Sequence, residues 1–575
     1  MPEIEYNPAT VNKLRYGILC NGYTFKKWQV RVFENLSNSG TAELCLLIIN
    51  SGTVSKKSIF RKIKSIFESD FIFRMFYRFL FWPSSLDVID LSKKIINIPY
   101  MECKVNRKGK FSEYFSTSDI ERIKDYKLDF LLRFGFNIIR GEILHCTPYG
   151  VWSYHHGDEM KYRGTPAGFW EIYKNDHVSG AILQCLTGKL DAGIVLRKGF
   201  FKTMLHSYSG NTDTLFYGCT HWPAQVCRDI LNGTSEYFHT PPSATGAPVM
   251  LVPGNMQMII FTVKLWRNKL RFHFNELFRA EHWNVGIVHK SIAAFCEEPL
   301  VEKNIRWMPA QQGSLFRADG FAFKLDEKLL LLYENYNFGK KKGNISSSIY
   351  SDKKGFSEEN TAIEKEHHLA YPYIFSHNNI YYCIPESSIS RKVELYQFNK
   401  EQMKFTFHKT LLEKEDAVDP TLVHFKDYWW LFFTRSGPDS NTNLYLYFSE
   451  NFDGTYLPHS NNPVKTDIRS VRPAGTPFIL NNSLFRPSQN SSMTYGGSIV
   501  LNKIIKLTPY EFSEETVKEI MPPADSVFSK GIHTICSADG YTIIDAKKHI
   551  FVFAAFRSQL SRKIKKVLRV KSHDQ

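Results

Sequence analysis

The texture of this chain changes once, between residues 240 and 280, and that change decides how many kinds of core it can build. Ahead of it, short apolar runs alternate with helical patterns. Residues 16–20 form an apolar run closed by Asn21 and Gly22, a helical spacing follows through Phe25, Trp28, Val32, Phe33 and Leu36, and residues 43–50 form a second apolar run. Strand, helix, strand is the opening of a parallel, doubly wound α/β sheet, whose ligands collect at the carboxyl ends of its strands. Pro241, Pro242, Ser243 and Gly246 then break the pattern, and residues 252–278 read as a helical connector. Beyond Trp283 the chain repeats short aromatic and β-branched runs, at 320–334, 370–385, 420–434, 443–449, 495–501 and 549–556, separated by turn residues and without helices between them. That rhythm predicts an all-β sandwich or propeller. The expected layout is an α/β domain over 14–240, a connector over 241–280, an all-β domain over 281–560 and a basic tail over 561–575.

Lysine and arginine exceed aspartate and glutamate to leave a formal charge of +16, which favours an anionic partner. Much of the excess lies in residues 56–78 and 557–571. Within 55–82, Ile59, Ile63, Ile66, Phe67, Phe71, Phe76, Phe79 and Leu80 are interleaved with lysine and arginine. This insertion reads as a basic amphipathic helix or helix pair, either packed on the protein or lying in an anionic membrane surface. No run reaches the roughly 18 to 20 uncharged apolar residues that crossing a bilayer requires. The ten cysteines form no C-x-x-C pair, and Pro2, Glu3 and Glu5 stand where an export signal would need basic residues. A cytoplasmic protein with reduced thiols is expected, at most peripheral to the inner face of the cell membrane.

The densest chemistry runs through Ser153-Tyr154-His155-His156-Gly157-Asp158, then Lys161-Tyr162-Arg163-Gly164, then Leu190-Asp191-Ala192-Gly193. This constellation resembles the catalytic core of the folate-dependent formyltransferases, which act on methionyl-tRNA, glycinamide ribonucleotide and amino sugars. The resemblance implies that His155 and Asp191 are the catalytic histidine and aspartate, with N10-formyltetrahydrofolate as the formyl donor. An imidazole can stabilise the oxyanion that forms when an amine attacks the formyl carbon, and a carboxylate can set its tautomer. Ser153 stands where the family has an asparagine, and a hydroxyl donates a single hydrogen bond there. His156, Asp158, Arg163 and Gly164 form the substrate loop, in which His156 to Met160 replace the family's Pro-Ser-Leu-Leu-Pro. A metal on His156 and Asp158 is an alternative, but two adjacent side chains are a poor ligand set, and no metal is expected. The turn Phe134-Gly135-Phe136 after an apolar run, together with Leu190 and Gly193, is assigned to the cofactor, because a glycine at a strand end lets a ligand approach the backbone. A plain tight turn is the alternative reading.

In the rear half, Arg317-Ala318-Asp319-Gly320 with Tyr333-Glu334, His368-Leu369-Ala370-Tyr371-Pro372, Ile384-Pro385-Glu386 and Asp419-Pro420-Thr421 resemble the blades of the five-bladed propellers that include furanosidases and arabinanases. They are also similar to the N-terminal domain of plant glucosamine inositolphosphorylceramide transferase. The resemblance implies a central funnel carrying Asp319, Glu334, Glu386 and Asp419, groups that could cleave a glycosidic bond as acid and base. Tyr371 takes the place of one expected carboxylate, which favours glycan binding over cleavage. The expected function is formyl transfer to an amino sugar or nucleotide sugar in surface-glycan assembly, with the propeller holding the glycan. The alternatives are a glycosidase or glycosyltransferase working through the propeller, and a non-catalytic glycan scaffold. Nucleic acid is the weaker partner, since formylation of initiator tRNA would leave the all-β half unexplained.

Overall fold

The computed structural model describes residues 13–52, 69–109, 111–189 and 192–573. It divides into two compact units, residues 1–268 and 269–575. All ten cysteines are free thiols.

The first unit is built on a seven-stranded sheet. Its strands are β1 (Leu14–Cys20), β2 (Ala42–Asn50), β3 (Tyr100–Cys103), β4 (Phe130–Arg133), β5 (Val151–His155), β6 (Val178–Cys185) and β7 (Ile194–Lys202), in the order β7-β6-β5-β4-β1-β2-β3. The five strands from β5 to β3 are parallel, and β6 and β7 run antiparallel at one edge. From β1 the chain winds outward to β2 and β3, then returns to lay β4 and β5 on the other side of β1. The topological switch point therefore lies between β1 and β4, as a doubly wound sheet requires. Alternation along the strands fills a core on each face: Ile18, Leu47 and Leu132 join one cluster, and Leu19, Leu46, Ile48 and Leu131 join the other.

Helix α1 (Lys27–Ser39) buries Trp28, Val32 and Leu36, spaced four apart on one face, and ends where Gly40 takes φ 66°. Helices α2 (Tyr208–Gly218), α3 (Trp222–Asn232) and α4 (Asn255–Phe278) follow the sheet. In the basic insertion, residues 53–68 lie outside the described residues. The described part holds a helix over Phe71–Phe79, and there Ile72, Phe73, Phe76 and Tyr77 pack on Phe169, Tyr208 and Phe261. The described part thus covers a core of the first unit.

The second unit contains five antiparallel sheets. One joins Ala280–Val288 and Ile305–Trp307 to Tyr541–Ile550 and Ile535–Ala538, so the two ends of the unit share a sheet. The next three sheets open with β8 (Leu315–Leu325), β9 (Ala370–His377) and β10 (Ala417–Phe425), each followed by its neighbours in chain order. The fifth comprises Phe478–Leu480, Ser483–Asn490, Ser498–Leu507 and Phe512–Ile520. One expectation needs correcting: residues 549–556 are not a strand. Tyr541–Ile550 ends there, and helix α5 (Phe553–His573) takes over, because Phe553, Leu560 and Ile564 carry a helical spacing into the basic tail.

Candidate functional site

Opening strands β8, β9 and β10 share one local device. Pairing with the following strand skips between Ala318 and Phe321, between Ala370 and Tyr373, and between Val418 and Thr421. At each bulge one residue has a left-handed backbone: Asp319 at φ 52°, Tyr371 at φ 42° and Asp419 at φ 51°. Such bulges re-aim a side chain, and non-glycine residues hold this conformation only where the surroundings enforce it.

Two of the three re-aimed side chains face a cavity of about 310 Å³. Asp319, Glu334, Glu386 and Asp419 all line it, so the four funnel residues expected from the sequence come together. Arg472 and His533 line it too, and neither was expected. Trp283, Phe316, Tyr336 and Tyr495 supply aromatic walls. Tyr371 does not reach it: fully buried, its hydroxyl pairs with Thr421 Oγ1 at 2.9 Å and accepts the Gly475 N–H at 2.7 Å.

The charges are arranged in two groups. Arg472 grips Asp419 with both ends of its fork, Nε to Oδ2 at 2.6 Å and Nη2 to Oδ1 at 3.3 Å, and Gln489 Nε2 donates to Oδ2 at 3.0 Å. On the other side His533 lies between two carboxylates, with Nδ1 2.7 Å from Asp545 and Nε2 3.3 Å from Asp319, and its ring stacks on Trp283 at 3.9 Å. Burial alone would lower the His533 pKa, but Asp545 and Asp319 outweigh it and the imidazole is pushed up. Thr534 Oγ1 donates to Asp319 Oδ1, and the Tyr371 N–H donates to Oδ2. Asp319, His533 and Asp545 also form the one cluster among the described residues whose ligand atoms lie close enough to share a metal. Both imidazole nitrogens already face carboxylates there, so an ion chain accounts for the geometry.

Burial and crowding set the carboxyls apart. Burial, reinforced by Asp419 and opposed by Arg472, pushes Glu386 up to about 8. Burial also pushes Glu334 well above the usual range, with Asp319, Glu386 and Asp419 adding to it. Asp319 rises to about 6 through burial, held back by His533. Burial and Asp419 thus hold Glu386 toward its protonated form, while His533 draws Asp319 toward the ionised one. A protonated carboxyl and an ionised one on the same cavity form an acid and a base.

In the first unit, His155 ends β5, His156 follows it, and both line a separate cavity of about 420 Å³ with Lys26, Tyr154, Gly164, Thr165, Pro166 and Phe216. His155 Nε2 lies 3.0 Å from the Tyr162 carbonyl. A carbonyl only accepts, so Nε2 carries the proton, and in the neutral ring Nδ1 is an acceptor. The His156 ring stacks on Phe216 at 3.8 Å and meets Trp28 edge-on. Burial, with help from His155 and Lys26, lowers it to about 3, so it stays neutral.

The other expected residues sit elsewhere. Asp191 and Leu190 lie outside the described residues. Ser153 is buried, and its Oγ accepts from Arg133 Nη1 at 3.0 Å. Asp158 turns away from His156: with Glu159 it binds Lys198, at 2.8 and 3.0 Å, which ties the loop to β7. Arg163 reaches the Ala247 carbonyl at 3.3 Å. Gly164 lines the cavity, and a Cβ there would lie 2.1 Å from the Met250 carbonyl oxygen. Phe134, Gly135 and Phe136 do not line it. Phe134 packs on Trp28 and Phe33, and Phe136 on Phe115. A Cβ on Gly135 would lie 2.7 Å from the Cys20 backbone, so the tight turn accounts for this glycine. Gly193 donates its N–H to Gln184 Oε1 at 3.1 Å.

Comparison with known proteins follows this division. Residues 277–528 match the family model described as glucosamine inositolphosphorylceramide transferase 1, N-terminal. Glucosamine inositolphosphorylceramide transferase 1 of Oryza sativa subsp. japonica is 33% identical over 210 residues, 36% of this chain and 28% of that protein. The protein of the same name from Arabidopsis thaliana is 30% identical over 210 residues, 36% of this chain and 27% of that protein. The match thus spans little more than a quarter of these relatives' length. Among solved structures, Zg3597, a family 117 glycoside hydrolase of Zobellia galactanivorans, aligns over 48% of this chain and 91% of its own at 13% identity and TM-score 0.31. Phosphoribosylglycinamide formyltransferase from Anaplasma phagocytophilum aligns over 38% of this chain and 88% of its own at 14% identity and TM-score 0.26. Superpositions this loose carry no argument about chemistry. The family match lies wholly within the second unit, so that unit is similar to the N-terminal region of glucosamine inositolphosphorylceramide transferase 1.

Proposed function

We propose that this chain acts on a glycan and that its second unit holds the sugar in the acidic cavity. One observation carries this reading: Asp319, Glu334, Glu386, Asp419 and Arg472, from separate parts of the chain, converge on one cavity walled by aromatic rings. A pyranose offers hydroxyls that need such acceptors and donors, and C–H faces that pack on rings. The carboxyl oxygens of Asp319, Glu334, Glu386 and Asp419 offer acceptors to an ammonium group, which suits a sugar that carries one. The relatives' name, with its glucosamine, points to the same class. We read the five sheets as blades of a five-bladed propeller with the cavity on its axis. Tyr371 removes one carboxyl from the set, which favours holding the glycan over cutting it. The test is calorimetric titration of the full chain with glucosamine-containing oligosaccharides. Saturable binding, lost in Asp419→Asn and retained in an exposed control variant, is expected. Equal binding by Asp419→Asn would overturn the reading.

A second reading is favoured by one observation in the first unit. His155 lines a cavity large enough for a small acceptor, with its Nε2 proton anchored on the Tyr162 carbonyl, which leaves Nδ1 as the ring's proton acceptor. We infer that this unit transfers a formyl group to an amino sugar, with N10-formyltetrahydrofolate supplying the activated formyl group. His155 would accept the amine proton and return it to N10 as the formyl C–N10 bond breaks and tetrahydrofolate leaves, Asp191 would set its charge, and Lys26 would offer a cation to the donor's carboxylates. The engagement of Ser153 by Arg133 counts against it, because that hydroxyl oxygen is already in use. Titration with a stable folate analogue, alongside His155→Ala, decides the matter, and absence of binding would remove this reading while leaving the first intact.

A further inference from the structure

Helices α4 and α5 carry large apolar side chains that no core covers. On α4, Leu270 and Phe274, which lie in the second unit four residues apart and so on one side of the helix, are exposed, Leu270 by 68%. On α5, Phe553, Leu560, Ile564 and Leu568 are exposed, Phe553 by 68% and Leu568 by 61%, and their steps of seven, four and four again give one stripe. Scattered apolar residues on a surface need no explanation, but a stripe along a helix does.

Charge says what covers them. Helix α5 holds Arg557, Arg562, Lys563, Lys565, Lys566, Arg569 and Lys571 and no acidic residue. On the part of α4 in the second unit, Lys269 and Arg271 are exposed. The single acid of the pair, Glu276, is already neutralised by Arg562 at 2.6 Å and Lys563 at 2.5 Å, and Phe278 packs on Phe551 and Phe556 beside it. Relative to the α5 stripe, Arg562 and Lys566 lie on the far side of the helix and Lys565 flanks it, while Arg557 falls within it, one turn from Phe553 and from Leu560. A second copy of this chain would bring the same positive charge to the contact and be repelled. An anionic bilayer meets both needs at once. The apolar stripe sinks roughly 5–10 Å into the boundary between headgroups and acyl chains, and the basic side chains extend to the phosphates. None of the described helices is long and apolar enough to cross a membrane, so the contact is interfacial.

We propose that α5 and the end of α4 beside it, both in the second unit, dock this protein on the surface of an anionic phospholipid bilayer. The experiment is co-sedimentation of the full chain with vesicles of phosphatidylcholine alone and of phosphatidylcholine mixed with phosphatidylserine, at low and high salt. Binding is expected to the mixed vesicles only, and to weaken with salt. Lys565→Gln and Lys566→Gln should each weaken it roughly fivefold, and the double variant Ile564→Glu/Leu568→Glu should abolish it. All four side chains are exposed, so the melting curve should not move, which separates lost docking from lost folding. No preference for the mixed vesicles, or undiminished binding by Ile564→Glu/Leu568→Glu, would overturn the proposal. So would a dimer in sedimentation velocity that this double variant dissolves, since the stripe would then belong to a second copy.

Discussion

Replacing Glu386 by glutamine should make this protein more stable at neutral pH and no more stable in acid. The carboxyl is held at about 8 against an ordinary 4.5, chiefly by burial and by Asp419. Between those two values the folded state keeps a proton that the unfolded chain has released. Stability therefore falls as pH rises from 4.5 to about 8 and levels off above, while below 4.5 the group costs nothing. At neutral pH the accumulated cost is about 3 kcal/mol, taking 1.36 kcal/mol for each tenfold change in proton affinity. Glutamine reproduces the protonated group: its carbonyl can accept from the Asp419 N–H, 3.4 Å from Oε2, and its amide can donate to Ser388, 3.1 Å from Oε1. The assay is thermal or urea unfolding of the full chain, following the transition that reports Trp283 and Trp430 in the second unit, at a series of pH values. Glu386→Gln should be stabilised by about 3 kcal/mol at neutral pH, the gain closing as pH approaches 4.5. A gain independent of pH, or a loss at neutral pH, would refute the claim that this carboxyl is buried as an acid.

Three further outcomes follow from the same geometry. Arg472→Met leaves the Asp419 carboxylate buried with only Gln489 on its side chain, and should destabilise the unit by about 3–5 kcal/mol in chemical denaturation. His533→Phe removes the cation between Asp319 and Asp545 and should cost a similar amount at neutral pH. Its deficit should shrink in acid, because burial holds the Asp319 carboxyl above its ordinary range and without His533 it takes a proton more readily still; a deficit flat with pH would contradict the ion chain. Gly343→Ala places a Cβ 2.6 Å from Glu334 Oε1 and 2.7 Å from the Leu369 carbonyl oxygen, so a loss of about 1–3 kcal/mol is expected in the same assay.

The sequence carried the two-unit layout because periodicity is local: helical spacing ahead of residue 240 and short β-rich runs after 283. It also carried Asp319 and Asp419, each followed by glycine or proline in a short recurring motif. Arg472 and His533 were missed, although a signal existed for the first of them. Val471-Arg472-Pro473 repeats the pattern of Val418-Asp419-Pro420 and Ala370-Tyr371-Pro372 with a cation in the central place. His533 comes from a loop with no such repeat, and only its contacts with Asp319 and Asp545, distant in sequence, give it meaning. The loop after His155 was misjudged for a related reason. Asp158 and Glu159 look free beside a candidate histidine, but their partner is Lys198 on β7, a long-range ion pair that no local pattern announces. At Gly135 the close approach was legible and its cause was not, since the neighbour is the Cys20 backbone.

The most direct test of the account is a crystal structure of the full chain grown with a glucosamine-containing disaccharide. Density for the sugar against Trp283 and Tyr495, its ammonium within hydrogen-bond distance of Asp319 or Asp419, is the predicted result. An empty cavity alongside sugar bound elsewhere on the molecule would contradict it.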